Sequence, residues 1–181
     1  MNNTQLCRLE ECNPENLLLL KKYEMIMQNK QATKRSIEAF VKFDIPLFLR
    51  FIKDKHVADV TSKDIEEFFF YCQTERNNGA EALCRKYTSL NSFYTQLIRK
   101  EYINCPNVMM KVDKPKIRRK PRGYLKPEEI KAMIDYAKKI DDKRSLALIL
   151  LFYSSGCRLS EIYQLNRDSI NYDELKFSVL G

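Results

Sequence analysis

The sequence predicts a mainly α protein: a four-helix N-terminal domain, a basic linker, and a smaller α+β domain ending in an unpaired strand. Three observations carry this. Apolar residues recur at three- and four-residue intervals over most of the chain, the pattern of amphipathic helices. Only 4 Gly and 6 Pro occur in 181 residues, too few for a β-rich fold punctuated by tight turns. Basic side chains concentrate in one short stretch, 111–122, which carries seven basic groups and one acid.

The elements follow in order. Asn13 and Pro14 supply a cap and first-turn residue for a helix over 15–29 that spaces Leu18, Leu19, Met25 and Ile26 helically. From Thr33 to about Lys55, Ile37, Phe40, Val41, Ile45, Phe48, Leu49 and Ile52 mark a second helix. Pro46 interrupts it, so a kink or break is expected near Phe43 to Ile45. Thr61 followed by Asp64 imitates a capping box and opens a third helix that buries Ile65, Phe68, Phe69 and Cys72. Asn77-Asn78-Gly79 ends it, and a fourth helix over about 80–100 turns Leu83, Tyr87, Leu90, Phe93, Tyr94, Leu97 and Ile98 inward. These helices make a domain over 1–108.

After Cys105-Pro106 the chain reads as irregular, and 109–123 as an extended basic linker with Lys114, Lys116, Arg118, Arg119, Lys120 and Arg122. The second domain, 124–181, starts a helix at Lys126-Pro127-Glu128-Glu129 that runs to about Lys139. Asp141-Asp142 caps the next. Its run SLALILLFY is apolar almost all round, which favours a buried helix with Tyr153 in the core. A shorter helix over about 158–164 follows Ser155-Gly156, then a turn at 171–174 and a strand over 175–180 with no partner in the domain.

The net charge is +8, of which +6 sits in 111–122. Charge gathered in one segment points to an anionic partner such as nucleic acid. No run of eighteen apolar residues and no signal-peptide pattern occur, so a cytoplasmic protein without a membrane partner is expected. Six scattered cysteines without C-x-x-C spacing read as reduced structural thiols. A single histidine, His56, excludes chemistry that needs a histidine pair, and neither a metal nor a small-molecule cofactor is called for.

The most informative stretch is Ser155-Gly156-Cys157-Arg158-Leu159-Ser160-Glu161-Ile162. Gly156 permits a left-handed turn between two helices, and Arg158 then falls in the first turn of the second. There a guanidinium can meet a phosphate, with Glu161 one turn on to hold it. Spacing alone favours the plainer reading, a surface i, i+3 ion pair worth a few tenths of a kcal/mol.

A resemblance covers nearly the whole chain. The stretch SSGCRLSEI is similar to the first arginine box of the tyrosine recombinases, the phage integrase family, with Ser155 and Cys157 departing from the usual residues. The segments LKPEEIKAMI and LKFSVLG resemble the start of that family's catalytic domain. TKRSIEAFVKFDIPLFLRFI and CRKYTSLNSFYTQLIRKEYI resemble its helical, SAM-like core-binding domain. The resemblance implies site-specific DNA recombination and integration, of the kind mobile elements use, on double-stranded DNA near the nucleoid, with other recombinase protomers as partners. It implies that Arg158 stabilises the scissile phosphate and that Glu161 supports it. It also implies DNA contacts from Lys34, Arg35, Arg85, Lys86, Thr88, Ser89 and Asn91, and from the linker residues Lys116, Arg118, Arg119, Lys120 and Arg122. The family's catalytic lysine, His-x-x-Arg box and tyrosine nucleophile have no counterpart in these residues, so the chain by itself is expected to bind without cutting. Two alternatives stand beside this reading: a non-catalytic protein that occupies or blocks recombination sites, and a basic helical module for protein or RNA.

Overall fold

The computed structural model describes residues 6–117, 123–174 and 176–179. The chain divides into two compact units, Met1–Arg119 and Lys120–Gly181. Arg118, Arg119, Lys120 and Arg122 of the expected linker lie outside the described residues.

In the first unit, α1 (Pro14–Asn29) starts where expected, because the Asn13 side chain accepts the Glu15 N–H at 2.9 Å and Pro14 has no N–H to leave unpaired. It buries Leu19, Leu20, Tyr23, Ile26 and Met27. Asn16, also buried, ties this helix to the turn around His56: its amide donates to the Lys55 carbonyl at 2.9 Å and its oxygen accepts the Val57 N–H at 3.0 Å. The sole histidine, His56, accepts the Ala58 N–H at 3.2 Å in that turn, and its other nitrogen lies 3.4 Å from Glu15.

The expected kink at Pro46 takes another form. The helix passes the proline without a break as α2 (Lys34–Ile37), a π-helical stretch (Glu38–Asp44) and α3 (Ile45–Ile52). The Ile45 N–H reaches back to the Phe40 carbonyl. Proline lacks the N–H that the Lys42 carbonyl would accept in an α-helix, and its ring crowds that carbonyl; a wider turn just upstream absorbs both defects. Lys53, at φ 56°, then stops the helix.

The capping box at Thr61 and Asp64 forms as expected. Asp64 accepts the Thr61 N–H at 2.7 Å, Thr61 accepts the Asp64 N–H at 3.4 Å, and Lys55 adds an ion pair to Asp64 at 2.7 Å. It opens α4 (Ser62–Thr74), which buries Ile65, Phe68, Tyr71 and Cys72. Phe69, expected among them, is half-buried and stacks on Tyr87, with ring centroids 6.4 Å apart. The left-handed residue of the following turn is Asn77, at φ 52°, whereas Gly79 is extended and serves as the N-cap of α5 (Ala80–Arg99).

The inner face of α5 forms the middle of the core. Leu90, Phe93, Tyr94 and Leu97 are fully buried, while Tyr87 and Ile98 are only half-buried. Phe93 meets Tyr23 edge to face at 5.3 Å, and the Tyr94 hydroxyl donates to the Val57 carbonyl at 3.0 Å. The chain beyond Cys105 is less irregular than expected. Val108–Lys111 forms a 3₁₀ turn, and Val108, Met109 and Val112 are buried in the same core, past the boundary drawn at 108. The turn packs against both α4 and α5 and so joins the core instead of trailing into solvent, with Met110 alone of its apolar residues left exposed.

In the second unit, α6 (Pro127–Lys139) and α7 (Lys143–Ser155) pair as antiparallel neighbours across a short turn. Asp142 caps α7 by accepting the Ser145 N–H at 3.0 Å. The expectation that α7 is a buried helix is corrected: no residue of α7 is fully buried, and Tyr153, read as core, is 60% exposed. A helix apolar on most faces needs neighbours on most faces, and the elements of this unit cover only part of it. Leu125, Ile130, Met133, Ile149, Phe152 and Tyr153 line an open apolar groove along α6 and α7. The expectation of an unpaired strand is also corrected. β1 (Ile170–Asn171) pairs antiparallel with β2 (Lys176–Phe177), in the register Ile170 with Phe177 and Asn171 with Lys176. Asn171 turns the chain by accepting the Asp173 and Glu174 N–H groups, both at 3.0 Å. Among the described residues, no helix is long and apolar enough to cross a membrane.

The Thr61–Asp64 box makes α4 acid-sensitive in a defined direction. Burial raises the Asp64 pKa, but the hydrogen bonds from Lys55 and Thr61 outweigh it and leave the carboxyl below its usual value. A depressed carboxyl adds stability above its unfolded pKa and loses it as pH falls through the lower folded pKa. Asp64→Asn is expected to cost about 1 kcal/mol in urea unfolding at pH 7. The gap to wild type should close as pH falls below about 3.9, the ordinary aspartate value, and through the depressed folded pKa; a gap that stays constant on that descent would remove Asp64 from this role.

Candidate functional site

Among the described residues, two arginines are gripped by a carboxylate while part of the guanidinium stays open to solvent. The first is Arg158. At the end of α7, Gly156 takes the left-handed conformation, φ 64° and ψ 13°, and its N–H bonds to the Phe152 carbonyl at 3.0 Å. Any side chain there would be strained by the backbone, although the space around it is open. The Ser155 hydroxyl accepts the Cys157 N–H at 3.2 Å and tightens the same corner.

Arg158 then lies not in the first turn of a helix, as expected, but at its N-cap, extended at φ −72° and ψ 154°, ahead of α8 (Leu159–Tyr163). Glu161 holds it twice. One carboxylate oxygen accepts the Arg158 backbone N–H at 2.7 Å and the other accepts Nη1 at 2.7 Å. The Arg158 side chain is 82% exposed and that of Glu161 13%. Nε and Nη2 of Arg158 have no acceptor among the described residues. The backbone N–H and then the guanidinium of Arg158 hold the Glu161 carboxyl below the usual glutamate range, which keeps the grip closed at neutral pH.

The second is Arg85 on α5. Its Nε and Nη2 donate side-on to Asp44, at 3.1 and 3.0 Å, and Lys86 adds a third contact to the same carboxylate at 3.4 Å. Asp44 is 1% exposed and Lys86 is buried, whereas the Arg85 side chain is 52% exposed. This corrects two expected surface contacts. Lys86 points into the protein to meet Asp44, and Ser89 is buried with its hydroxyl donating to the Lys86 carbonyl at 2.9 Å, so neither faces solvent.

The remaining expected contacts are spread over the first unit. Lys34 and Arg35 are exposed at the start of α2, where Thr33 accepts the Ser36 N–H at 3.2 Å. Thr88 is exposed on α5 and bonds to the Cys84 carbonyl at 2.9 Å, and Asn91 is half-buried. Lys116 is exposed and lines a cleft with Gly79, Ala80 and Glu81 at the start of α5. No hydrogen bond or ion pair among the described residues joins Lys34 or Arg35 to α5.

Asp44 is the residue that sequence reasoning missed. Its signal was present: it follows Val41 by three residues and precedes Phe48 by four, an acid on the inward face of an apolar helix. Such an acid requires a buried cation. Among the described residues no group of three or more His, Cys, Asp or Glu side chains is gathered to hold a metal ion. Burial pushes the Cys12 thiol up to about 12 and the Cys72 thiol to about 11, so both stay protonated and unreactive as nucleophiles at neutral pH.

Residues 19–104 match the family description "Phage integrase, N-terminal SAM-like domain". The chain is 31% identical over 173 residues to tyrosine recombinase XerC of Caldanaerobacter subterraneus, covering 84% of this chain and 48% of that protein. It is 27% identical over 169 residues to tyrosine recombinase XerD of Rickettsia bellii, covering 87% and 54%. A crystal structure of XerA recombinase aligns with 91% of this chain and 55% of that one, at 20% identity and a TM-score of 0.45. Residues 19–104 thus carry the SAM-like domain of the phage integrases, and the curated relatives that match most of the chain are named tyrosine recombinases. The chain spans about half the length of the curated relatives it matches.

The grip of Glu161 on Arg158 is testable by NMR. The Arg158 backbone amide resonance should titrate with a midpoint below about 4.3, the ordinary glutamate value. The hydrogen bond that the Arg158 N–H donates to Glu161 weakens as pH falls through the depressed pKa, and Glu161→Gln should abolish the transition. A midpoint at or above that value would contradict the geometry.

Proposed function

We propose that this chain acts in site-specific DNA recombination of the tyrosine recombinase type, with the SAM-like domain gripping duplex DNA and Arg158 serving the scissile phosphate. The observation that carries the reading is the hold of Glu161 on Arg158. One carboxylate fixes both the backbone and the guanidinium at a helix entrance, and leaves most of the side chain exposed. When a nucleophile attacks phosphorus, charge builds on the non-bridging oxygens. A guanidinium already fixed in place stabilises that charge without reorganising. In this reading Arg158 is the catalytic residue and Glu161 its positioning residue.

DNA affinity comes from the first unit and the basic segment that follows it. Lys34, Arg35, Arg85, Thr88, Asn91 and Lys116 supply phosphate and groove contacts in this reading, together with Arg118, Arg119, Lys120 and Arg122. The protein works in the cytoplasm at the nucleoid, with further protomers on the same DNA as partners. The 181 residues taken alone bind without cutting. Their sole histidine, His56, is occupied in a turn of the first unit, so they contain no His-x-x-Arg box. Tyr153, Tyr163 and Tyr172 crowd around the arginine box instead of lying far downstream of it.

Fluorescence anisotropy with a labelled duplex tests the binding. If about five phosphates are neutralised, log K should fall against log salt with a slope of about −4 to −5, and a flat dependence would overturn the reading. The same chain incubated with supercoiled plasmid should leave neither nick nor covalent adduct.

A further inference from the structure

We propose that Asp44 is a positioning residue that presents Arg85 to duplex DNA as a preformed two-pronged donor. The inference rests on the proposed DNA binding by the first unit and adds to it which edge of Arg85 does the work and what aims it. Asp44 takes the Nε and Nη2 hydrogens on one edge of the guanidinium, at 3.1 and 3.0 Å. The opposite, end-on edge, made of Nη1 and the second Nη2 hydrogen, has no acceptor among the described residues. That edge matches two adjacent acceptors in one plane: two oxygens of a phosphate, or O6 and N7 of a guanine.

The burial pattern separates the roles. Asp44 is 1% exposed and cannot meet DNA itself, while the Arg85 side chain is 52% exposed directly above it. Lys86, buried on the same carboxylate, leaves the cluster with a net positive charge and braces Asp44 from the inside. The π-helical stretch that ends at Asp44 and the proline two residues on fix where the carboxylate emerges. Arg85 therefore arrives at DNA with its plane already set, and loses less side-chain entropy on binding than a free arginine. Thr88, exposed three residues on, lies on the same side of α5.

The test uses the full chain and labelled 30-base-pair duplexes of several scrambled sequences, with anisotropy as the readout at fixed salt. Arg85→Ala should weaken binding about tenfold or more. Arg85→Lys should recover little of that loss, because a lysine carries the charge without the fork. The pair Asp44→Asn with Lys86→Met leaves the net charge unchanged and replaces a buried ion pair by groups of similar size, so it is expected to fold, as a cooperative thermal melt will show. It should lose at least half of the logarithmic affinity that Arg85→Ala loses, and adding Arg85→Ala to it should then cost little more.

A loss equal on every duplex identifies phosphate as the acceptor, and a loss that varies with sequence identifies a guanine edge. Wild type that fails to bind any duplex would overturn the DNA-binding reading itself. Wild type that binds while Arg85→Ala changes nothing would overturn this inference alone. Full affinity in Arg85→Lys, or in the Asp44 and Lys86 pair, would reduce Arg85 to a point charge and remove Asp44 from the role.

Discussion

A carboxylate buried where one helix changes register sets the terms for the N-terminal unit. Asp44 lies almost wholly out of water, and an isolated ion there is untenable, so the helix that carries it must dock where α5 can supply cations. Arg85 and Lys86 meet that need from adjacent positions, one from above and one from within. The docking packs the same helix, with its fully buried Leu90, Phe93, Tyr94 and Leu97, against α1, α3 and α4, and sets Phe93 edge to face on Tyr23. Apolar burial supplies most of the driving force, but it is tolerant of small shifts. The ion cluster is directional, and it fixes the alignment of α5 against the helix that carries Pro46.

The same device recurs in the second unit under different packing. Glu161 grips Arg158 as Asp44 grips Arg85, and in each case the carboxylate is sheltered and part of the guanidinium is not. The difference lies in the support. Asp44 is rooted in a core of tightly packed aromatics, whereas Glu161 belongs to a five-residue helix in a unit whose α7 has no fully buried residue. In the proposed reading Arg85 is suited to lasting contact with DNA, and Arg158 to a site that gains definition from further contacts.

What the sequence made legible was governed by local chemistry. Asn13, the Thr61 and Asp64 pair, Asp142 and Gly156 all act on backbone groups within a few residues, so their effects follow from spacing alone. The motif around Arg158 was readable for the same reason, although its place at the cap itself was not. The misses all depend on residues distant in sequence or on how completely a surface is covered. Lys86 looks like a solvent-facing residue until Asp44, more than forty positions earlier, is known to lie beneath it, and Ser89 does so until its side of α5 is known to be covered. Pro46 announces a disturbance, but only the packed helix decides between a kink and a π turn. The exposure of Tyr153 and the pairing of Ile170 with Phe177 turn on the number of neighbours and on a two-residue strand, too short to carry a periodic signal.

The proposed grip of the SAM-like unit on duplex DNA uses the start of α2 and the Arg85 edge of α5. Chemical footprinting of lysine and arginine side chains in the full chain, with and without a 30-base-pair duplex and read by mass spectrometry, tests it most directly. Lys34, Arg35 and Arg85 should become protected when the duplex is bound. Bound duplex that leaves all three as reactive as in the free protein would contradict the account.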